Sequence, residues 1–235
     1  MTTSPPRTLV LDVDDTLYLE RDYVRSGFDA VGDWAATALG EDGVATAAWE
    51  HFVGGRRGDV FDRVLRERDV DPTPETIAAM VACYRDHAPR IELLPDAADL
   101  VARLSGAVAF AVVTDGPISS QRAKVDALGL ARWADPIVLT GDLGADYGKP
   151  HPKAFELVEA RVGTRGRDNV YVADNPHKDF VAPRSLGWRT VRVRRDGSLH
   201  ADVASGDDVD LEVADLSDLA RHLGLDTEAR SDRGR

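Results

Sequence analysis

Four short runs along the chain are nearly unbroken in apolar character: TLVLDV (8–13), VAFAVVT (108–114), PIVLT (136–140) and NVYVAD (169–174). Each is rich in β-branched residues, the pattern of strands covered on both faces. A fifth run, RTVRVR (189–194), alternates and reads as a strand nearer the sheet edge. Between these runs the spacing switches to a helical period in SSQRAKVDALGL, HPKAFELVEARVG and HKDFVAPRSLGW, the last shortened or kinked by Pro183. DLSDLARHLGL (215–225) predicts a terminal helix with Asp215 or Ser217 as its cap. Strands alternating with helices of this length imply a parallel α/β sheet with helices on both sides.

The alternation breaks once. About 90 residues pass between the first and second strands, and they hold four segments of helical period: YVRSGFDAVGDWAATALG, GVATAAWEHFVGG, GDVFDRVLRERDV and TPETIAAMVACYRDHAP. Helices without a convincing strand predict a helical insert over residues 18–89. The core then comprises residues 1–17 and 90–228, and residues 229–235 form a polar, flexible tail. A chain of 235 residues accommodates one sizeable core plus such an insert, rather than two full domains.

A net charge of -12 disfavours non-specific binding to nucleic acid or to an anionic membrane. The segment MTTSPPRT has no apolar leader character, and no run of 18 apolar residues occurs, so the reading is cytoplasmic. Cys83 is the single cysteine and reads as a buried thiol on a helix.

Chemistry enters where strands end. Ligands of an open parallel sheet sit beyond the carboxyl ends of its strands, and LVLDVDDTLYLE places Asp12 and Asp14 there. Asp174 and Asp179 follow the fourth strand. Carboxylates gathered this closely oppose one another's ionisation unless a cation sits among them. A hard divalent ion such as Mg2+, which takes oxygen ligands, removes the conflict. Lys149, in YGKPHPKAF, can neutralise both a carboxylate and a phosphoryl oxygen. Thr114 offers a hydroxyl, the turn at Asp115 and Gly116 offers backbone N–H groups, and a helix beginning near Ser119 extends that anion-binding end. Metal, lysine, hydroxyl and amides together suit a phosphoryl group. Asp15 is expected to point outward or to cap the next turn. His151 and His177 read as helix-start or rim residues, and Asn175 as a hydrogen-bonding neighbour of the metal site.

These motifs resemble the haloacid dehalogenase-like hydrolase superfamily: LDVDDTL its first motif, VVTDG its second, GKPHPKAF its third and YVADNPHKD its fourth, in family order. The resemblance implies a Rossmann-like parallel-sheet core, with the helical insert as a C1-type cap. It further implies Asp12 as nucleophile forming an aspartyl-phosphate, Asp14 as acid and then base, and Thr114 and Lys149 as holders of the phosphoryl oxygens. By the same resemblance Mg2+ is bound by Asp12, the Asp14 backbone carbonyl and Asp174, with Asp179 supporting the metal site or orienting Lys149. Dehalogenating members lack an acid matching Asp14, so phosphoryl chemistry is favoured. The chain departs at Ala173, where the family usually has glycine, a mild perturbation beside Asp174.

The expected activity is hydrolysis of a small soluble phosphate monoester. The alternatives are a phosphomutase of the same superfamily, or a non-catalytic protein binding a phosphorylated ligand or partner. No lysine occurs in the predicted cap helices, which argues against a Schiff-base phosphonate hydrolase. Within the cap, Gly54 and Gly55 precede Arg56 and Arg57, a turn suited to gripping an anionic substrate. Tyr18, Arg21 and Tyr23 follow the first motif at the hinge, where one of them is expected to face substrate. Trp34 and Trp49 read as cap core. The pattern leaves open whether the chain is a monomer or a homodimer.

Overall fold

The computed structural model describes residues 4–225; the tail expected at 229–235 lies outside the described residues. Six parallel strands form one sheet among them: β1 (Thr8–Leu11), β2 (Ala109–Thr114), β3 (Ile137–Leu139), β4 (Asn169–Ala173), β5 (Arg189–Val193) and β6 (Leu211–Val213). Their spatial order is β3-β2-β1-β4-β5-β6. Order reverses around β1, which pairs Leu11 with Val112 of β2 and with Val172 of β4. Asp12 and Asp174 therefore emerge together past the carboxyl ends of adjacent strands, at the point where such sheets open a crevice.

Alternation along the strands explains the two cores. Leu9 and Leu11 enter one apolar cluster with Val112, Val172 and Leu100, while Val10 enters the other with Val113, Tyr171 and Phe155. Helix α5 (Pro95–Leu104) covers the first face and α7 (Lys153–Val162) the second. Helix α6 (Ile118–Ala127) follows β2 and differs from both, because its buried residues are Ser120, Gln121 and Lys124. A helix with a polar inner face is facing a site rather than a core.

Helices α1 (Glu20–Ala38), α2 (Val44–Val53), α3 (Val60–Arg66) and α4 (Pro74–Asp86) lie between β1 and β2 in the chain. They share a third apolar cluster built on Phe28, Val31, Phe52, Val64 and Met80, with Trp34 and Trp49 packed against it. Cys83 is only half-buried, and its thiol donates to the Ala30 carbonyl over 3.5 Å. Helix α4 starts cleanly. Thr73 Oγ1 accepts from the Thr76 N–H at 3.2 Å, and Pro74 occupies the first turn, where its missing N–H costs nothing. Thr73→Ala is expected to lower unfolding free energy by about 1 kcal/mol, read as a reduced urea midpoint at unchanged slope.

Three features depart from the pattern reading. Strand β5 is not the alternating, edge-like strand that RTVRVR suggests, since all five residues are buried. Its arginines are the reason: Arg192 is fully buried and donates to the carbonyls of Asp174 (3.0 Å), Val203 (2.8 Å) and His200 (2.8 Å). Strand β6, three residues within a polar stretch, forms the edge and carried no periodic signal. The two late helices are short: α8 spans Val181–Ser185 and α9 Leu219–His222. Pro183 is tolerated because it falls in the first turn of α8, where N–H groups have no helical partner. Asp215 accepts from the Ser217 N–H (2.8 Å) in a turn before α9 instead of capping it.

Candidate active site

Beneath the crevice, and not among the residues that line it, Lys149 Nζ lies 2.9 Å from Asp12 Oδ1, 2.6 Å from Asp179 Oδ1 and 3.0 Å from the Tyr171 hydroxyl. Every member of this group is buried. Burial alone would drive the lysine toward neutrality, but the carboxylates of Asp12 and Asp179 outweigh it and hold the ammonium charged, well above its ordinary range. Asp12 feels the opposite balance: burial pushes its carboxyl up to about 6, against the pull of Lys149. Asp179 also accepts from the Asn175 N–H at 3.0 Å, which fixes the loop after β4.

Asp14 is held separately. Its carboxylate accepts from Lys124 Nζ (2.7 Å), Gln121 Nε2 (3.2 Å) and the Tyr18 hydroxyl. Burial works against ionisation here too, yet Lys124 and these hydrogen bonds prevail and keep the group below the usual carboxylate range. Two carboxylates two residues apart are thus driven to opposite behaviour by their surroundings.

A crevice of about 230 Å³ opens above both. Asp12, Asp14, Asp115, Gly116, Asp174 and Asn175 line it. Asp115 is braced by Lys178 (2.9 Å) and Thr140. Gly116 has φ +154, a conformation that residues with side chains rarely adopt, and a Cβ there would displace the end of the Gln121 side chain, 2.7 Å away. Thr114 does not line the crevice: its hydroxyl is buried and donates to Gln121 Oε1 (2.8 Å). Tyr18 lies under Asp14, fully buried, rather than facing the opening; Tyr23 reaches the crevice instead. Arg56 and Arg57 are exposed and line a neighbouring cavity, not this one. Asp15 is buried rather than outward, accepting from the N–H groups of Glu20 and Leu199, both at 2.8 Å. His151 Nδ1 accepts from the Lys153 N–H at the start of α7, and His177 rests against His200 at the rim.

The haloacid dehalogenase-like hydrolase family model matches residues 6–187. The chain belongs to that family. Among its relatives, a glyceraldehyde 3-phosphate phosphatase of Methanopyrus kandleri is 29% identical across 94% of this chain and 99% of its own. A phosphoserine phosphatase of Thermus thermophilus is 32% identical, covering 74% of this chain and 67% of its own. The fold matches that of the HAD-hydrolase YfnB from Bacillus subtilis, solved bound to magnesium, with a TM-score of 0.67 at 18% identity over 94% of this chain and 99% of that one.

In this haloacid dehalogenase-like hydrolase the carboxylates of Asp12, Asp174 and Asp179 each offer an oxygen within 4.8 Å of the others. Asp174 is the informative member. Among the described residues none donates a hydrogen bond to its carboxylate, and burial, then Asp12 and Asp179, push it up to about 9. A buried acid left without donors beside two others is a set of hard oxygen ligands lacking a charge, which a divalent cation fits. The methyl of Ala173 packs into the apolar cluster on the α7 face, where it is fully buried.

Sequence reasoning missed Gln121, Lys124, Lys178 and Tyr171. Gln121 and Lys124 had a signal: they stand three apart on a helix opening directly behind the VVTDG run, hence on one face. Tyr171 had none, because a tyrosine inside a buried strand reads as core.

Proposed function

We propose that this hydrolase is a Mg2+-dependent phosphatase acting on a small phosphate monoester, with Asp12 as nucleophile. The observation that carries the reading is the division of labour between two carboxylates, Asp12 beside Lys149 and Asp174, and Asp14 held apart by Lys124 and Gln121. Asp12 attacks phosphorus and the bond to the alcohol oxygen breaks. Its contacts hold Asp14 ionised beforehand, so the proton that this oxygen takes from Asp14 is first passed to Asp14 by the singly protonated phosphate group of the substrate. Water then attacks the aspartyl-phosphate while Asp14 takes its proton, releasing phosphate and restoring Asp12. The contacts that favour ionised Asp14 suit this second step. Lys149 and the N–H groups at Asp115 and Gly116 counter the charge on the phosphoryl oxygens. Gln121, carried by Thr114, fixes Asp14 from above.

Mg2+ held by Asp12, Asp174 and the Asp14 backbone carbonyl would neutralise charge on the transferred group. Asp179 supports this set by anchoring Lys149 and the Asn175 backbone. We assign α1–α4, within residues 18–89, as a cap that shelters the crevice from water and from large substrates. Relatives named for glyceraldehyde 3-phosphate and phosphoserine support a small phosphorylated metabolite as substrate. We further propose a cytoplasmic location for the enzyme.

The test is phosphate release from a panel of small monoesters, with Mg2+ and with EDTA. Turnover is expected with Mg2+ and is expected to vanish with EDTA. Release that persists undiminished in EDTA, or none from any monoester, would remove this reading.

A further inference from the structure

A second cavity adjoins the crevice. It measures about 270 Å³ and shares Glu20 and Tyr84 with the crevice, so the two meet along these side chains. Its character is different. Val24, Phe28, Phe52, Val60, Phe61 and Val81, from four helices, form its walls. Arg57 walls it further, its guanidinium 3.9 Å from the Phe52 ring centre and bonded to the Phe52 carbonyl at 2.7 Å. Leu199 closes it from the sheet side. That leucine is 38% exposed, yet it is fixed in place: its N–H donates to Asp15 at 2.8 Å, within the loop that carries Asp12 and Asp14.

Each cavity alone is smaller than the ~300–1,000 Å³ usual for a ligand site, whereas the two joined fall within it. The polar half holds the phosphoryl chemistry, with Asp14 placed at the alcohol oxygen. The half beyond Glu20 and Tyr84 is walled mainly by hydrocarbon and aromatic surface; its charged groups are Glu20, shared with the crevice, and Arg56 and Arg57, both solvent-exposed.

Resting on the phosphatase reading, we propose that this second cavity receives the alcohol part of the substrate. The preferred substrates are then phosphate monoesters of alcohols carrying a compact apolar or aromatic body. Nothing in the catalytic groups requires such a body; the requirement comes from the walls contributed by α1–α4 and from Leu199.

The experiment is a series of methyl, butyl, hexyl and 2-cyclohexylethyl phosphates, assayed with Mg2+. These alcohols leave about equally well, so differences report on the alcohol part rather than on the chemistry. From methyl to hexyl, kcat/KM is expected to rise about tenfold or more. Val81→Trp, which fills the cavity, and Leu199→Asp, which makes it polar, are expected to bring the hexyl-to-methyl ratio back toward one. A flat series with measurable methyl phosphate turnover would mean that the cavity is only the seam between helices and loop; the inference fails while the phosphatase reading stands. If no monoester is turned over, the phosphatase reading fails first. Calorimetry with hexylphosphonate then decides the cavity: binding weakened about tenfold by Val81→Trp supports it, and equal binding to both proteins overturns it.

Discussion

Asp12→Asn is expected to lower the rate of phosphate release by about 10⁴-fold or more while leaving the fold intact. The side chain sits at the head of β1, fixed by its own N–H to the Val172 carbonyl (2.9 Å) and by Lys149 Nζ at 2.9 Å. An asparagine keeps the shape and an oxygen for Lys149, but an amide is a poor nucleophile toward phosphorus. Removing the charge also relieves repulsion from Asp179 and Asp14, two of the influences that raise the Asp12 carboxyl. Stability is therefore expected to be equal to or above that of the parent. Substrate binding is expected to survive, because Lys149 and the N–H groups after β2 remain. Single-turnover phosphate release, thermal denaturation and equilibrium binding of the uncleaved monoester separate these effects. Full turnover in the variant rejects Asp12 as nucleophile; lost binding with lost folding makes its role structural.

How much of this site can be read in the chain depends on where each residue's neighbours come from. Asp12, Lys149, Asp174 and Asp179 are legible because each sits at a strand end or helix start, positions that an α/β pattern fixes without knowledge of packing. Four helical segments after β1 are legible for the same reason, their period being unbroken. What the pattern cannot supply is the direction of a side chain where the backbone turns. Tyr18 reads as a hinge residue facing substrate, yet the turn after Asp15 (φ 53) buries it beneath Asp14. Arg56 and Arg57 read as a grip over the crevice, but α3 starts so soon after them that they wall the adjoining cavity. Lys124 escapes notice because a lysine on a helix is ordinarily solvated, and only the tertiary fold sets it against Asp14 with Tyr23 beneath, its ring centre 4.3 Å away. The burial of Arg192 and strand β6 were hidden likewise: arginines make β5 read as an edge strand, and the three residues of β6 carry no period.

Asp174→Asn is expected to abolish Mg2+-dependent turnover and, in EDTA, to make the protein more stable. The Asp174 carboxyl is pushed up to about 9 by burial, then by Asp12 and Asp179, from an ordinary 3.8. A folded state that holds a proton which the unfolded chain has released loses stability as pH rises. The contribution is therefore fully present below about pH 4 and lost progressively until the pH passes about 9; Asp12, raised to about 6, adds a narrower loss over the lower part of that window. Without a divalent cation the parent is expected to weaken steadily from pH 5 to pH 9. Mg2+ would offset the burial and the repulsion that raise both groups, so its stabilising effect should grow with pH. Asparagine carries no charge to desolvate, and at pH 8 in EDTA the variant is expected to exceed the parent by about 2 kcal/mol or more. The difference shrinks toward zero near pH 4. Denaturation midpoints for both proteins at pH 5, 7 and 9, in EDTA and in Mg2+, measure this directly. A parent whose EDTA curve is flat across that range, and which gains nothing from Mg2+, does not hold a cation at Asp174. A variant less stable than the parent at every pH would assign the carboxylate a structural role instead. The expected pattern, stability gained where activity is lost, is that of a site built around a charge its own residues do not provide.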